Sequence, residues 1–239
     1  MSNARSDVLE AQREVFKKFE VPLEQVCSTL SHGAFLTETL RTSVDTEVIV
    51  FFDIDAVPLR PDVVDRAVKV ACAREAIVGA AQEANHLEAL KYWAWHGRQP
   101  WLRRLAEKPH RWIRSVRGLP NPPYVQPLRY VGPCFMVVPL DVYRRAGSPS
   151  LEADDSSYLD VGAKLTVAVR SQGMKAITIH PTHSEVPKYR LGDRLGFGLG
   201  VTYGRQLVYH AFESTYVSGS RSPDLFMRKC REILQGVSA

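Results

Sequence analysis

The sequence predicts an α/β fold with a mainly parallel central sheet. Two continuous apolar runs, EVIVFF at 47–52 and AIVGAAQ at 76–82, are typical of strands buried on both faces. Helical patterns precede and separate these runs, and alternating helices and strands indicate a parallel sheet with crossover helices. The chain has 239 residues, 45% of them hydrophobic, which is enough to bury the core of one domain spanning 1–239.

The N-terminal part supplies the first helices of this alternation. Apolar residues recur at helical spacing over 8–19, and a second helix is predicted at about 32–42. Between them, VPLEQVC at 21–27 is interpreted as a short strand. Pro61 suits the first turn of a third helix, PDVVDRAVKVACA, because its fixed φ and missing N–H are tolerated there.

The C-terminal part continues with the strand YVGPCFMVVP, the helix VGAKLTVAVRSQ, the strand KAITIHP and the final helix SPDLFMRKCREILQ. Gly173 follows the first of these helices and is predicted to end it in a left-handed conformation. Ser222 and Pro223 are predicted to begin the last helix as N-cap and first-turn residue.

Composition excludes several classes of protein. The four cysteines form no CxxC pair, which argues against a zinc site and against a disulfide framework. No apolar run is long enough to span a bilayer. The first ten residues are polar and do not resemble a secretory signal, so a cytoplasmic location is expected, the inner face of the membrane included.

The most informative segment is VIVFFDIDAVPLRP, in which Asp53 and Asp55 follow a buried strand. In open α/β sheets, ligands bind beyond the carboxyl ends of the strands. If the backbone is still extended there, both carboxylates point to one side and repel each other unless a cation lies between them. Such oxygen ligands suit Mg²⁺ or Mn²⁺. The alternative is that one aspartate caps a turn or the next helix while the other is solvated.

The segments FDIDAVPL, IVGAAQEANH, YVGPCFMVVPLDVYRRAGSPS, LDVGAKLTVAVRSQG and GVTYGRQLVYHAFES occur in this order over most of 45–216. Together they resemble a bacterial family of glycosyltransferases with the GT-A fold, whose DxD motif matches the acidic pair. The resemblance implies a GT-A-like, Rossmann-like three-layer domain. It also implies a UDP- or GDP-sugar donor, Mn²⁺ or Mg²⁺ as cofactor, and transfer of the sugar to a glycan or lipid-linked acceptor, for example in polysaccharide synthesis.

The resemblance also implies roles for residues of the donor and metal site. Asp53 and Asp55 would contact both the metal and the nucleotide, and His210 would complete the metal shell. His180 and His183, near a preceding strand end, are alternatives to His210, and a purely structural histidine is a further one.

Two other groups would lie beside the donor. Gly132, Pro133 and Cys134 open a strand that adjoins the donor sugar in such folds, and a glycine there allows close approach of a ligand to the backbone. A plain turn is the alternative. Asn85 and His86 follow the AIVGAAQ strand and would meet the sugar or the acceptor, unless the asparagine only caps the next helix.

Asp160 corresponds to the carboxylate that activates the acceptor in this family, with Asp154 and Asp155 of the same loop as substitutes. A general base needs to lie within hydrogen-bond reach of the attacking hydroxyl. The alternative is that Asp160 caps the helix predicted from Val161. The chain departs from the family at its start, where a helix occupies the place of the strand that contacts the nucleotide base.

A basic, tryptophan-rich insertion is predicted at about 90–127. Within it, residues 92–117 contain all four tryptophans and seven basic residues, opposed only by Glu107. The residues are Trp93, Trp95, Trp101, Trp112, Arg98, Arg103, Arg104, Lys108, Arg111, Arg114 and Arg117. This composition fits peripheral contact with an anionic membrane surface, and packing of the tryptophans on the domain is an equal alternative. Nucleic-acid binding is less favoured, since no nucleic-acid module is present.

Two other functions fit parts of the sequence. A nucleotidyltransferase also uses acidic metal ligands on an α/β sheet, but it would normally carry a glycine- and arginine-rich loop near its N-terminus. A nucleotide- or glycan-binding protein of the same fold without turnover is the non-enzymatic alternative.

Overall fold

Six helices and eight strands lie in the five stretches that the computed structural model describes, residues 5–83, 129–153, 160–185, 199–212 and 222–236. The helices are α1 (Ser6–Lys18), α2 (His32–Thr42), α3 (Val63–Arg74), α4 (Leu140–Arg145), α5 (Ala163–Ser171) and α6 (Ser222–Gln235). The strands are β1 (Val48–Phe52), β2 (Ala56–Pro58), β3 (Ala76–Glu83), β4 (Arg129–Pro139), β5 (Lys175–Ile179), β6 (Pro181–Glu185), β7 (Leu199–Tyr203) and β8 (Val208–Phe212). None of these helices is long and apolar enough to cross a membrane.

The first sheet has the order β1-β4-β3-β5, and only its β3–β5 pair is parallel. The long strand β4 runs antiparallel to both β1 and β3. The predicted mainly parallel central sheet, and the GT-A-like three-layer domain built on it, are therefore wrong. Continuous apolar runs report burial on both faces, which β4 has along nearly its whole length, but they carry no information on strand direction.

A second sheet has the order β2-β8-β7-β6 and is antiparallel throughout. Its strands have three to five residues. Strands this short show no clear alternation of apolar and polar residues, and this sheet is therefore absent from the predicted fold. The turn between β7 and β8 carries three consecutive residues with positive φ, Gly204, Arg205 and Gln206, instead of the Asn-Gly or Asp-Gly pair that marks a hairpin.

Three apolar clusters hold the layers together. On one face of the first sheet, α2, α4 and α5 contribute buried residues such as Leu40, Tyr143 and Leu165. On the other face, α3 and the second sheet pack against β3 and β4. Helices α1 and α6 cover the far side of the second sheet through Phe16 and Phe226. The second sheet thus lies between the first sheet and the α1–α6 pair.

Among the predicted ends of helices and strands, some are confirmed and others are wrong. Gly173 adopts φ +73° two residues after the end of α5, which confirms it as the residue that ends this helix. The predicted strand at 21–27 is wrong, because these residues form no strand. Pro61 lies two residues before α3 and not in its first turn. The insertion at 90–127 lies outside the described residues, and the single-domain assignment stays a prediction.

Candidate metal centre

Asp53 and Asp55 lie in a tight turn between β1 and β2. The Ala56 N–H donates to the Asp53 carbonyl at 3.0 Å, so the backbone is not extended here, and the condition for placing both carboxylates by strand alternation is not met. The two carboxylates nevertheless converge with His210. One ligand atom from each of the three side chains lies within 4.8 Å of the other two. The predicted metal trio is therefore brought together, although by a turn instead of by strand alternation.

The backbone of this turn is held by three separate elements. The Asp53 N–H donates to the Cys134 carbonyl of β4 at 3.3 Å, and the Ala211 N–H of β8 donates to the Asp55 carbonyl at 2.9 Å. The buried Gln12 side chain of α1 donates to the carbonyls of Asp53 at 2.7 Å and Ala56 at 2.9 Å. These bonds place both aspartates without using their carboxylates.

His210 reaches the pair from β8, where it is paired in register with Ala56. Its Nε2 lies 3.2 Å from Asp55 Oδ1 and 3.9 Å from Asp53 Oδ2. In an octahedral Mg²⁺ or Mn²⁺ site, neighbouring ligand atoms are about 3 Å apart and opposite ones about 4 Å. The side chains present fit a small hard cation with one imidazole ligand. Among the three, Asp53 is the most exposed at 20%, so the cluster opens to solvent on its side.

His32 joins this cluster and was missed by the sequence analysis. It is the first residue of α2, and its Nε2 lies 3.2 Å from Asp53 Oδ1. Ser31 precedes it as N-cap, and the Ser31 hydroxyl accepts a hydrogen bond from the Ala34 N–H. The Ser-His pair could have marked His32 as the start of a helix, but nothing in the sequence places that start beside Asp53.

Each carboxylate has an imidazole partner, so the predicted repulsion is offset within the protein. Burial lowers the pKa of His32, but the Asp53 carboxylate outweighs this and the pKa is raised overall. Burial also lowers the pKa of His210, and the Cys134 sulfur and Asp55 together raise it well above its ordinary value. Burial raises the pKa of Asp53, yet His32 and His210 bring it below its ordinary value.

The predicted donor-side residues form an irregularity in β4. Ala81 of β3 faces Val131, whereas Gly79 faces Met136, so β4 bulges across Gly132, Pro133 and Cys134. Bulges of this kind often re-aim groups next to active sites. The bulge supplies the carbonyl that holds Asp53, and the buried Cys134 sulfur lies beside His210, where burial raises the pKa of the thiol. Cys134 therefore borders the cluster, and Gly132 and Pro133 precede it in the bulge.

Gln82 lies against this bulge. A Cβ at position 132 would come within 2.2 Å of the Gln82 Cδ, so a larger residue there would require the Gln82 side chain to move. The Gln82 Oε1 is buried and has no hydrogen-bond partner among the residues that the structure describes. An unpaired buried acceptor costs about 1–3 kcal/mol, which a hydroxyl donor from a ligand would offset.

Asp160 is fixed by two hydrogen bonds. Its Oδ2 accepts from the Tyr130 hydroxyl at 3.1 Å and its Oδ1 from the Val161 N–H at 2.7 Å. Helix α5 begins only at Ala163, and its N-cap has no side-chain hydrogen bond, so the alternative that Asp160 caps this helix is wrong. The negative charge of Asp160 contributes to the raised pKa of His32, which places the two side chains in one electrostatic environment.

Two of the remaining candidates lie away from the cluster, and the others are not among the described residues. His180 and His183 are exposed, and neither belongs to the cluster of ligand atoms found in the described part of the chain. Asn85, His86, Asp154 and Asp155, predicted to contact the donor or to serve as base, lie outside the described residues. The tryptophan-rich insertion does too, and membrane contact stays a prediction.

The paired imidazoles predict how the stability of the metal-free protein depends on pH. Histidines with raised folded-state pKa values stabilise the fold fully below their unfolded pKa of about 6.5, and this contribution is lost as pH rises through the folded values. Asp53, whose pKa is lowered, contributes above its unfolded pKa and loses its contribution in acid. In chelator, we therefore expect the free energy of unfolding to fall as pH rises above about 6.5.

Urea denaturation in chelator between pH 5 and 9 measures this dependence. The variant His210→Asn is the control and should show a shallower decline, because one of the two titrating imidazoles is removed. Excess Mn²⁺ should restore stability at high pH, since the cation replaces the protons between the carboxylates. A wild-type stability that stays level or rises from pH 6.5 to 9 in chelator would contradict the assignment.

Comparison with known proteins gives no match, either to a family model, to a curated protein or to a solved structure. Any functional argument therefore depends on the geometry of the site and on its chemistry.

Proposed function

We propose that the protein is a Mn²⁺- or Mg²⁺-dependent glycosyltransferase that moves a sugar from a nucleotide-diphospho-sugar to a glycan or lipid-linked acceptor. The observation that carries the proposal is the convergence of Asp53, Asp55 and His210, with spacings suited to a small hard cation. Such cations keep several positions for water and phosphate oxygens when few protein groups bind them. A diphosphate group is therefore the ligand that this arrangement suits best.

The proposed roles follow from how each side chain is held. Asp53, Asp55 and His210 would hold the cation and leave three of six octahedral positions for the donor and water. A bound cation would act as a Lewis acid that neutralises charge developing on the departing diphosphate. The partial exposure of Asp53 supports entry of the donor from that side.

Asp160 is the proposed general base. The Tyr130 hydroxyl and the Val161 N–H each occupy one oxygen and fix the carboxylate plane, while each oxygen keeps a lone pair for the proton of an acceptor hydroxyl. The unpaired Gln82 amide oxygen beside Gly132 would accept a hydrogen bond from a sugar hydroxyl. Together these groups would supply a base and a polar contact for the acceptor and the sugar.

The proposal is tested by incubating the protein with Mn²⁺ and UDP-glucose, UDP-galactose, UDP-N-acetylglucosamine or GDP-mannose. We expect slow release of nucleoside diphosphate from at least one donor, because water can replace the acceptor. The release should stop in chelator and return with added Mn²⁺. The matched control is Asp45→Asn, which makes the same change at an exposed position outside the cluster and should behave as wild type.

The products separate the alternative functions. A nucleotidyltransferase would form pyrophosphate from a nucleoside triphosphate and a sugar phosphate. A binding protein without turnover would bind donors in Mn²⁺ but release no nucleoside diphosphate. Failure of every donor to bind or react in Mn²⁺ would reject the glycosyltransferase proposal.

A further inference from the structure

The two oxygens of the Asp53 carboxylate face two different histidines. Oδ1 lies 3.2 Å from His32 Nε2, and Oδ2 lies 3.9 Å from His210 Nε2. His210 belongs to the cluster of ligand atoms, whereas His32 does not, within the described part of the chain. One oxygen thus faces the cation site and the other faces a hydrogen-bond donor outside it.

The backbone that carries His32 is fixed against the segment before Asp160. Gly33 packs so closely on this segment that a Cβ would lie 2.5 Å from the Glu152 Cα. The Thr37 hydroxyl of the same helix accepts a hydrogen bond from the Leu151 N–H at 2.8 Å. His32 therefore approaches Asp53 from a position that packing and hydrogen bonds hold in place.

We infer that His32 is a positioning residue for the cation and acts through Asp53. Its Nε2–H donates to Oδ1, so that Asp53 presents only Oδ2 to the ion. A carboxylate held in this way binds through one oxygen, whereas a free carboxylate can rotate or bind through both. One-oxygen binding preserves an additional open position for a phosphate oxygen. This inference rests on the cation site of the proposed function but not on the identity of the donor.

The test is titration of the protein with Mn²⁺ alone, with free Mn²⁺ followed by electron paramagnetic resonance. Loss of an outer hydrogen-bond partner of a metal ligand typically weakens metal binding by about 10–100-fold. We expect this loss in His32→Phe and in His32→Ala, which adds no bulk. The variant His32→Gln should stay within about threefold of wild type, because its amide N–H can donate from nearly the position of the imidazole Nε2–H.

Matched controls are His183→Phe and His183→Gln, which make the same changes at an exposed histidine outside the cluster and should leave the Kd unchanged. Thermal unfolding in chelator checks that each variant folds. Wild-type affinity in both His32→Phe and His32→Ala would overturn the inference. Equal weakening in His32→Gln would also overturn it, since packing of the ring would then be what matters.

The same titration separates this inference from the proposed function. If the His32 series behaves as expected but no nucleotide-sugar binds, the positioning role stands and the glycosyltransferase proposal fails. If the wild-type protein binds no Mn²⁺, both fail.

Discussion

Asparagine in place of Asp53 or Asp55 is expected to abolish Mn²⁺-dependent binding of UDP and GDP. Each substitution removes one of only two anionic ligands from the cluster, and the remaining carboxylate and imidazole cannot replace its charge. Calorimetric titration of UDP and GDP in Mn²⁺ measures the effect. Wild-type affinity in both variants would refute the metal role of the pair.

The same two variants should differ in stability when no metal is present. Asp55 is buried and its Oδ1 faces His210 Nε2, so it is not a surface residue whose loss would be neutral. Breaking a buried hydrogen bond to a charged group costs about 1–3 kcal/mol, which we expect for Asp55→Asn near pH 6. The control Asp45→Asn, at an exposed position, should change neither stability nor nucleotide binding.

The second large effect is expected at Asp160. The variant Asp160→Asn should lower the rate of nucleoside diphosphate release by about 10²–10⁴-fold, because the amide cannot accept a proton from the nucleophile. Binding of UDP in Mn²⁺ should be unchanged, since Asp160 is not among the grouped ligand atoms. Steady-state kinetics together with calorimetry separate the two effects.

Tyr130→Phe provides a graded comparison for Asp160. It removes the hydroxyl that donates to Asp160 Oδ2 but keeps the carboxylate, so we expect a smaller loss of rate than in Asp160→Asn. The exposed helix variant Asp141→Asn should have no effect on rate. A full rate in Asp160→Asn would remove this residue from the mechanism.

The local features of the site could be predicted from the sequence because each depends on a few consecutive residues. An apolar run that ends in Asp53 and Asp55 marks a buried strand followed by a polar edge. His210 entered the prediction through family resemblance alone, and its convergence with the aspartates depends on the pairing of β2 with β8. The position of the two aspartates could thus be predicted from their own segment. Their contact with His210 could not, because it depends on the pairing of two distant strands.

The rest of the arrangement depends on pairings between distant segments. The direction of β4 depends on where the chain returns after the segment that follows β3, which burial patterns do not reveal. His32 lies near Asp53 only because α2 packs against the first sheet beside Leu151. Sequence periodicity predicts which face of a helix is buried. It does not predict which strand end lies next to the first residue of the helix.

The hydrogen bonds that hold the Asp53–Asp55 turn have a consequence for folding during synthesis on the ribosome. The partners of this turn come from α1, β4 and β8, and His210 is translated well after both aspartates. At a synthesis rate of about 5–20 residues per second, His210 would be added on the order of 10 seconds after the two aspartates. A nascent chain therefore holds two carboxylates without their third partner. Binding of a cation by all three side chains can therefore occur only after His210 has been synthesised. It would indicate that both sheets have formed.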